Sequence, residues 1–224
     1  MRLIDADTAQ PGLTVTAAEQ MQGKGQRGRS WKGTPGESLL MSIVIAPERS
    51  LNLQFLYNMG VAVAVVKVLN DLYHDWDVRI KWPNDIMVND KKAGGVLLEN
   101  VIKGNQWSFG IVGLGLNILH EDFAADLPNA TSLKLASGKS FLLEELRDRM
   151  RASILYYIYG NVPSDKILEE YNHYLYKRGE QQTFSGNGTE WQAEIIGVSS
   201  QGLLQVVNDD KPEEYVHGTV QWVW

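Results

Sequence analysis

Between residues 53 and 73 the apolar side chains Leu56, Met59, Val63, Val66, Leu69 and Tyr73 recur every three or four positions. That is the period of a helix burying one stripe, and a helix of this length needs a broad apolar surface to pack against. Gly60 inside the run costs about 1 kcal/mol relative to Ala. The flanking segments carry strand patterns. Residues 13–18 alternate Thr with small apolar residues, and residues 38–46 are a continuous apolar run closed by Pro47, which suits a strand buried on both faces. Val78, Ile80 and Trp82 alternate with Arg79 and Lys81 before the turn Pro83-Asn84-Asp85. Ile86-Met87-Val88, Asn89-Asp90 and Gly95-Val96-Leu97-Leu98 read as a hairpin. In the strand predicted over 107–119, Gly110, Gly113 and Gly115 imply that something approaches the backbone closely.

Residues 120–139 read as a loop, Ser140 and Ser164 as caps of two further helices, and Lys177-Arg178-Gly179 as the stop of the second. Beyond Gly179 only short strands remain, separated by turn signals at 185–188, 199–202 and 208–212. Such a tail is expected to form a small, strongly bent antiparallel barrel.

The 224 residues suit one large domain or a medium domain with a small module. Cys is absent, which excludes disulfides, thiolate nucleophiles and thiolate metal sites. His74, His120, His173 and His217 form no i,i+4 pair, so a His-based metal site is not expected. Residues 1–7 carry acids where a signal peptide needs an apolar run, and the apolar run 61–66 stops at Lys67. The expectation is a cytoplasmic chain with no membrane partner. A net charge of -6 disfavours non-specific nucleic-acid binding, so any anion must meet a local basic patch.

Residues 21–34 are such a patch: Lys24, Arg27, Arg29 and Lys32 stand among Gly23, Gly25, Gly28 and Gly33 with no acid. Glycines let backbone N–H groups point inward while cations neutralise charge. A solvated basic surface loop is the equally available alternative. The stretch Gly23 to Ser30 nearly fits a P-loop, but Gly33, Pro35 and Gly36 forbid the helix that would hold the phosphates. Gly113-Leu114-Gly115 fails as a dinucleotide fingerprint because Ile118 stands at the third Gly position, and no G-x-S-x-G occurs.

Four segments in this order resemble the biotin protein ligase family: 20–31, containing Gln20, Gly23-Lys24-Gly25-Gln26-Arg27-Gly28-Arg29 and Trp31; Lys81-Trp82-Pro83-Asn84-Asp85; Lys91-Lys92-Ala93-Gly94-Gly95-Val96; and Gly113-Leu114-Gly115-Leu116-Asn117. The resemblance spans the chain and takes in Ala130-Thr131-Ser132-Leu133. It implies an α+β fold, with a mixed sheet and flanking helices over 1–178 and an SH3-like barrel over 179–224. It also implies a biotin-[acetyl-CoA-carboxylase] ligase activity. Biotin's carboxylate attacks the α-phosphorus of MgATP, and a lysine of a biotin carboxyl carrier protein then takes the biotinyl group.

By the same resemblance, Lys92, Lys24 and Arg29 are catalytic, and Gln20, Lys24, Gly25, Gln26, Arg27, Trp31, Lys81, Asn84, Lys92, Gly95 and Asn117 bind biotin or ATP. Lys92 would reach the carboxylate and α-phosphate, Trp31 would pack against adenine, and Asp85 is the candidate for Mg2+ or the incoming amine. Family members usually carry Arg where Gln26 stands. The Ser-Thr-Asn segment that lines biotin's ureido group would precede residue 1, so the expectation is a chain without the family's first strand and helix. A chain without the winged-helix domain of some members and without a DNA partner is expected, and analogy suggests a homodimer paired through 96–101. The alternatives are a lipoate or octanoyl ligase, and an inactive N-truncated homologue that binds only nucleotide or carrier protein.

Overall fold

The computed structural model describes residues 9–25, 28, 30–31, 33–47, 51–104, 106–186 and 188–223. Its helices are α1 (Gln54–Leu72), α2 (Leu133–Ser137), α3 (Leu143–Tyr159) and α4 (Ser164–His173). The expected amphipathic helix is α1, but every residue from Leu56 to Val66 is buried. The reason is tertiary: the sheet packs on one side of α1, and α3 and α4 cover the other. The helix is long and apolar enough to cross a membrane, yet most of it is enclosed in this fold.

The principal sheet has the order β1 (Thr14–Ala17), β4 (Ser38–Ile45), β8 (Gln106–Asn117), β7 (Lys91–Lys103), β6 (Asp85–Val88), β5 (Val78–Lys81). The α+β class therefore holds, but the sheet is not mixed. Every ladder in it is antiparallel, because β5 to β8 are successive hairpins that reverse the chain at each turn. Asn89 (φ 50) and Asp90 (φ 62) make the two-residue turn between β6 and β7, as the twist of paired strands favours. Parallel pairing is confined to isolated bridges, such as Ile80 with Leu175 and Lys92 with Ala130.

Alternate residues of the central strands, Met41, Ile43, Ile45, Val96, Val112, Leu114 and Leu116, are buried toward α1. Each such side chain contributes about 1.5–3 kcal/mol, and truncating Ile43 to Ala would cost about 2–5 kcal/mol.

Several local expectations are corrected. The 120–139 segment contains α2, whose N-terminus is capped by Ser132: its Oγ accepts from the Leu135 N–H at 3.0 Å and donates to the His120 carbonyl at 2.6 Å. Leu142, not Ser140, occupies the cap position of α3, and Pro163, not Ser164, that of α4. In neither case does the cap residue's side chain make a capping hydrogen bond. Helix α4 ends at His173, before Lys177-Arg178-Gly179.

The C-terminal strands β9 (Gln181–Gly186), β10 (Thr189–Val198), β11 (Leu204–Asn208), β12 (Lys211–Tyr215) and β13 (Gln221–Trp222) form one antiparallel sheet. Its order is β12-β11-β10-β9-β13, and no ladder among the described residues joins its edges, so it is an open sheet. It encloses the turn after β5. The Trp82 indole N–H donates to the Gly202 carbonyl at 3.0 Å, and His217 stands edge-on to Trp82 at 5.5 Å.

Candidate functional site

Cross-strand register assembles the site. Ala17, Leu40, Gly115, Gly95, Asp85 and Lys81 pair in one row across all six strands. Directly paired residues project to one face, and here it is the face opposite the α1 core. Gly95, Gly115 and, one row on, Gly113 lower the middle of that face, between Leu40 and Leu97 of the neighbouring strands.

A hairpin of β2 (Gly23–Lys24) and β3 (Ser30–Trp31) lies over it. A Cβ on Gly115 would sit 2.8 Å from Trp31 Cε2, so the indole rests directly on the glycine that the sequence marks for close approach. Trp31 Nε1 is buried and finds no hydrogen-bond partner among the described residues. Gly23 permits the tight hairpin, since a Cβ there would meet the Trp31 carbonyl at 2.4 Å.

The Lys92 ammonium lies 2.6 Å from Asp85 Oδ1, with 38% of the Lys92 side chain exposed, so it is held yet open to a ligand. Its backbone is fixed by two hydrogen bonds, from the Lys92 N–H to Asn129 O at 2.7 Å and from the Thr131 N–H to Lys92 O at 2.9 Å. Asn117 Nδ2 donates to Thr131 O at 3.1 Å, so one segment ties the Lys92 and Asn117 strands together. Nearby, burial and then the charge of Asp85 hold the Tyr171 hydroxyl well above its usual pKa. That hydroxyl donates to Pro83 O at 2.9 Å.

The other residues named from sequence take varied places. Lys24 reaches Glu99 Oε1 at 3.1 Å. Lys81 is buried, with its ammonium 5.0 Å from the Trp222 ring. Asn84 is buried in the turn, where Nδ2 donates to Val96 O and its own carbonyl accepts from the Val96 N–H at 3.0 Å. Gln20 is exposed and Gly25 half-buried. Gln26, Arg27 and Arg29, with Lys32, lie outside the described residues. The register thus gathers Trp31, Asp85, Lys92, Gly95 and Asn117 on one face, with Lys24 farther along it.

Sequence reasoning passed over Glu99 and His120. Glu99 follows Gly95 and Leu97 at a period of two, so alternation alone puts it on the same face. His120 is buried; its Nε2 accepts from the Thr34 N–H at 3.4 Å, and its ring stacks on Phe123 at 5.2 Å. Burial pushes its pKa below the ordinary value, although Glu37 and Asp122 pull the other way. His120 Nδ1 and Ser38 Oγ are buried without a partner among the described residues.

A cleft of about 650 Å³ lined by Glu37, Leu119, Glu121, Asp122, Lys134 and Phe141 opens beyond this end. Its one cation is paired with Glu121, so the cleft repels anions and is not the anion site. No cluster of three His, Asp or Glu side chains occurs among the described residues, and Asp85 is engaged by Lys92. These residues do not build a resident divalent-metal site.

An antiparallel α+β domain with an anion-competent, glycine-floored face defines the class. Residues 2–117, a little over half the chain, match the biotin/lipoate A/B protein ligase family, and the chain belongs to it. The chain is 28% identical to the Homo sapiens biotin--protein ligase over 97% of its own length and 32% of that protein's. It is 28% identical to the bifunctional ligase/repressor BirA of Bacillus subtilis over 88% of this chain and 62% of that one. It therefore spans 32% and 62% of the length of these two relatives. The fold is that of the Aquifex aeolicus biotin protein ligase solved in complex with biotin and ATP, with a TM-score of 0.81 at 21% identity over 96% of this chain and 90% of that one.

Proposed function

We propose that this chain is an ATP-dependent biotin ligase. The observation that carries the reading is the Lys92 ammonium, held by Asp85 beside the Gly95–Gly115 floor under Trp31. Joining a carboxylate to a phosphate brings two anions together, so catalysis rests on positioning and charge neutralisation. A biotin carboxylate oxygen attacks the α-phosphorus of ATP, and pyrophosphate leaves with the electron pair of the broken P–O bond. Lys92 meets the charge that develops on the phosphoryl oxygens, aided by Lys24 and Arg29. A carrier-protein lysine amine then attacks the biotinyl carbonyl, AMP departs, and the amine's proton is lost. Asp85, beside Lys92, is the carboxylate suited to accept that proton.

The metal is written with the triphosphate as MgATP. The remaining roles in this reading are adenine beside Trp31, and biotin and nucleotide along Gln20, Gly25, Gln26, Arg27, Lys81, Asn84, Gly95 and Asn117. We further read 1–178 as the catalytic unit and 179–224 as an SH3-like module, supported by their separate sheets. A homodimer through β7 is supported by the flank beyond Gly95, where among the described residues the ladders pair β7 only with β8. We also read the ligase as cytoplasmic and without a DNA partner; the acidic net charge supports only the second, by weighing against non-specific nucleic-acid binding.

ATP–pyrophosphate exchange tests the reading. Biotin should drive exchange where lipoate and octanoate do not, and labelled biotin should then appear on the lysine of an apo carrier domain. Exchange driven by lipoate, or by none of the acids, overturns it.

A further inference from the structure

Lys24 is not a free cation on this face. Its ammonium is 3.1 Å from Glu99 Oε1, with the side chains 66% and 32% exposed. Among the described residues, the β2–β3 hairpin touches the sheet through Trp31 over Gly115 and through Lys24 at Glu99. Gly115 pairs with Gly95, and Glu99 stands four residues farther along β7, roughly 13 Å at the strand rise. The hairpin therefore spans this stretch of the sheet, with Gly113 opposite Leu97 midway.

A mixed, solvent-exposed pair of this kind is screened and weak. A lysine on its flexible stem is free to exchange one carboxylate for a more highly charged anion. Glu99 is thus a resident counter-ion next to a stretch of sheet floored by Gly95, Gly115 and Gly113, with the apolar Leu97 between Gly95 and Glu99.

We propose that Glu99 is a positioning residue that holds Lys24 in reserve: its carboxylate occupies the ammonium until the polyphosphate of ATP displaces it. This rests on the reading of the face as the adenylation site. Glu99 then sets the affinity for the polyphosphate by competing for Lys24 and touches no substrate itself. Pairing in the resting state keeps the loop cation aligned along the face, at the expense of weaker anion binding.

Calorimetric titration of the whole chain with inorganic pyrophosphate at low ionic strength tests this in the parent, Glu99→Gln, Lys24→Gln and the double variant. Glu99→Gln should bind pyrophosphate about fivefold more tightly, the factor corresponding to the upper range of an exposed ion pair. Lys24→Gln should bind more weakly, and the double variant should match it. In exchange assays Glu99→Gln should lower the KM for MgATP without raising kcat.

Unchanged or weaker binding by Glu99→Gln overturns the proposal. So does tightening that persists in the Lys24→Gln background, because Glu99 would then act as a general field and not through Lys24. Failure of the ligase reading looks different: the parent shows no biotin-dependent exchange while the pyrophosphate coupling between positions 24 and 99 remains.

Discussion

Two adjacent glycines in β7 should respond to the same methyl group in opposite ways. A Cβ on Gly94 would lie 2.6 Å from the Gly115 carbonyl oxygen and 2.8 Å from Leu116 Cδ1. The first of these is backbone within a ladder, and Leu116 is fully buried, so neither can yield cheaply. Overpacking of this kind costs about 1–3 kcal/mol. At ~2 kcal/mol, Gly94→Ala should lower Tm by about 4–8 °C in a chain of this size.

A Cβ on Gly95 would meet only Asp85 Oδ1 at 3.6 Å and the Asn84 carbonyl at 3.7 Å, both ordinary contacts. Removing backbone freedom from the unfolded chain would even stabilise by up to about 1 kcal/mol. Gly95→Ala should therefore keep or slightly raise Tm. The methyl would instead stand on the floor beside Asp85 and Lys92, where it would displace a ligand. Transferring ~1–3 kcal/mol of overpacking to the bound substrate predicts roughly a tenfold or greater loss in kcat/KM for biotin-dependent exchange. Differential scanning calorimetry and exchange kinetics on the two variants separate these effects. A Gly94→Ala chain as stable as the parent, or a Gly95→Ala chain that unfolds early or exchanges normally, would refute the assignment of the two faces.

Two other expectations concern stability. Because burial lowers the folded pKa of His120 below 6.5, stability is fully present above that value and is lost as pH falls through the folded pKa; Tm measured from pH 7.5 downward should fall less steeply in His120→Gln than in the parent. Trp82→Phe should leave the Gly202 carbonyl without its 3.0 Å donor inside the contact with the C-terminal sheet, costing about 1–3 kcal/mol by urea titration. A variant as stable as the parent would mean that water replaces the indole.

Much of this architecture was legible in the sequence where the signal is local. The 3.6-residue period located α1 to within a residue at each end, and Asn89-Asp90 marked a turn that both residues complete with positive φ. What escaped reading was set by distant neighbours. The full burial of α1 depends on α3 and α4, which no window around residue 60 contains. Helix α2 was missed because five residues show hardly more than one helical turn, set between the turn residues Pro128-Asn129 and Gly138.

The same distinction runs through the site. Gly115 announced a close approach, but only the register across β4, β7 and β8 reveals Trp31 as the approaching group and joins Gly115 to Asp85. Lys24 read as a free cation because its partner Glu99 is 75 residues away. Likewise the turns of the C-terminal unit were visible, whereas closure of its sheet depends on non-local pairing that the described strands do not make.

The most direct test of the account is the exchange rate of Lys92→Gln with biotin as the acid, measured on chains whose Tm matches the parent. Loss of a single cation aimed at developing charge typically slows turnover by about 10²–10³, and a loss of that size, with carrier-independent binding of MgATP retained, is the predicted result. Exchange within about threefold of the parent would show that the amine beside Asp85 takes no part in forming the acyl-adenylate, and would contradict the central claim.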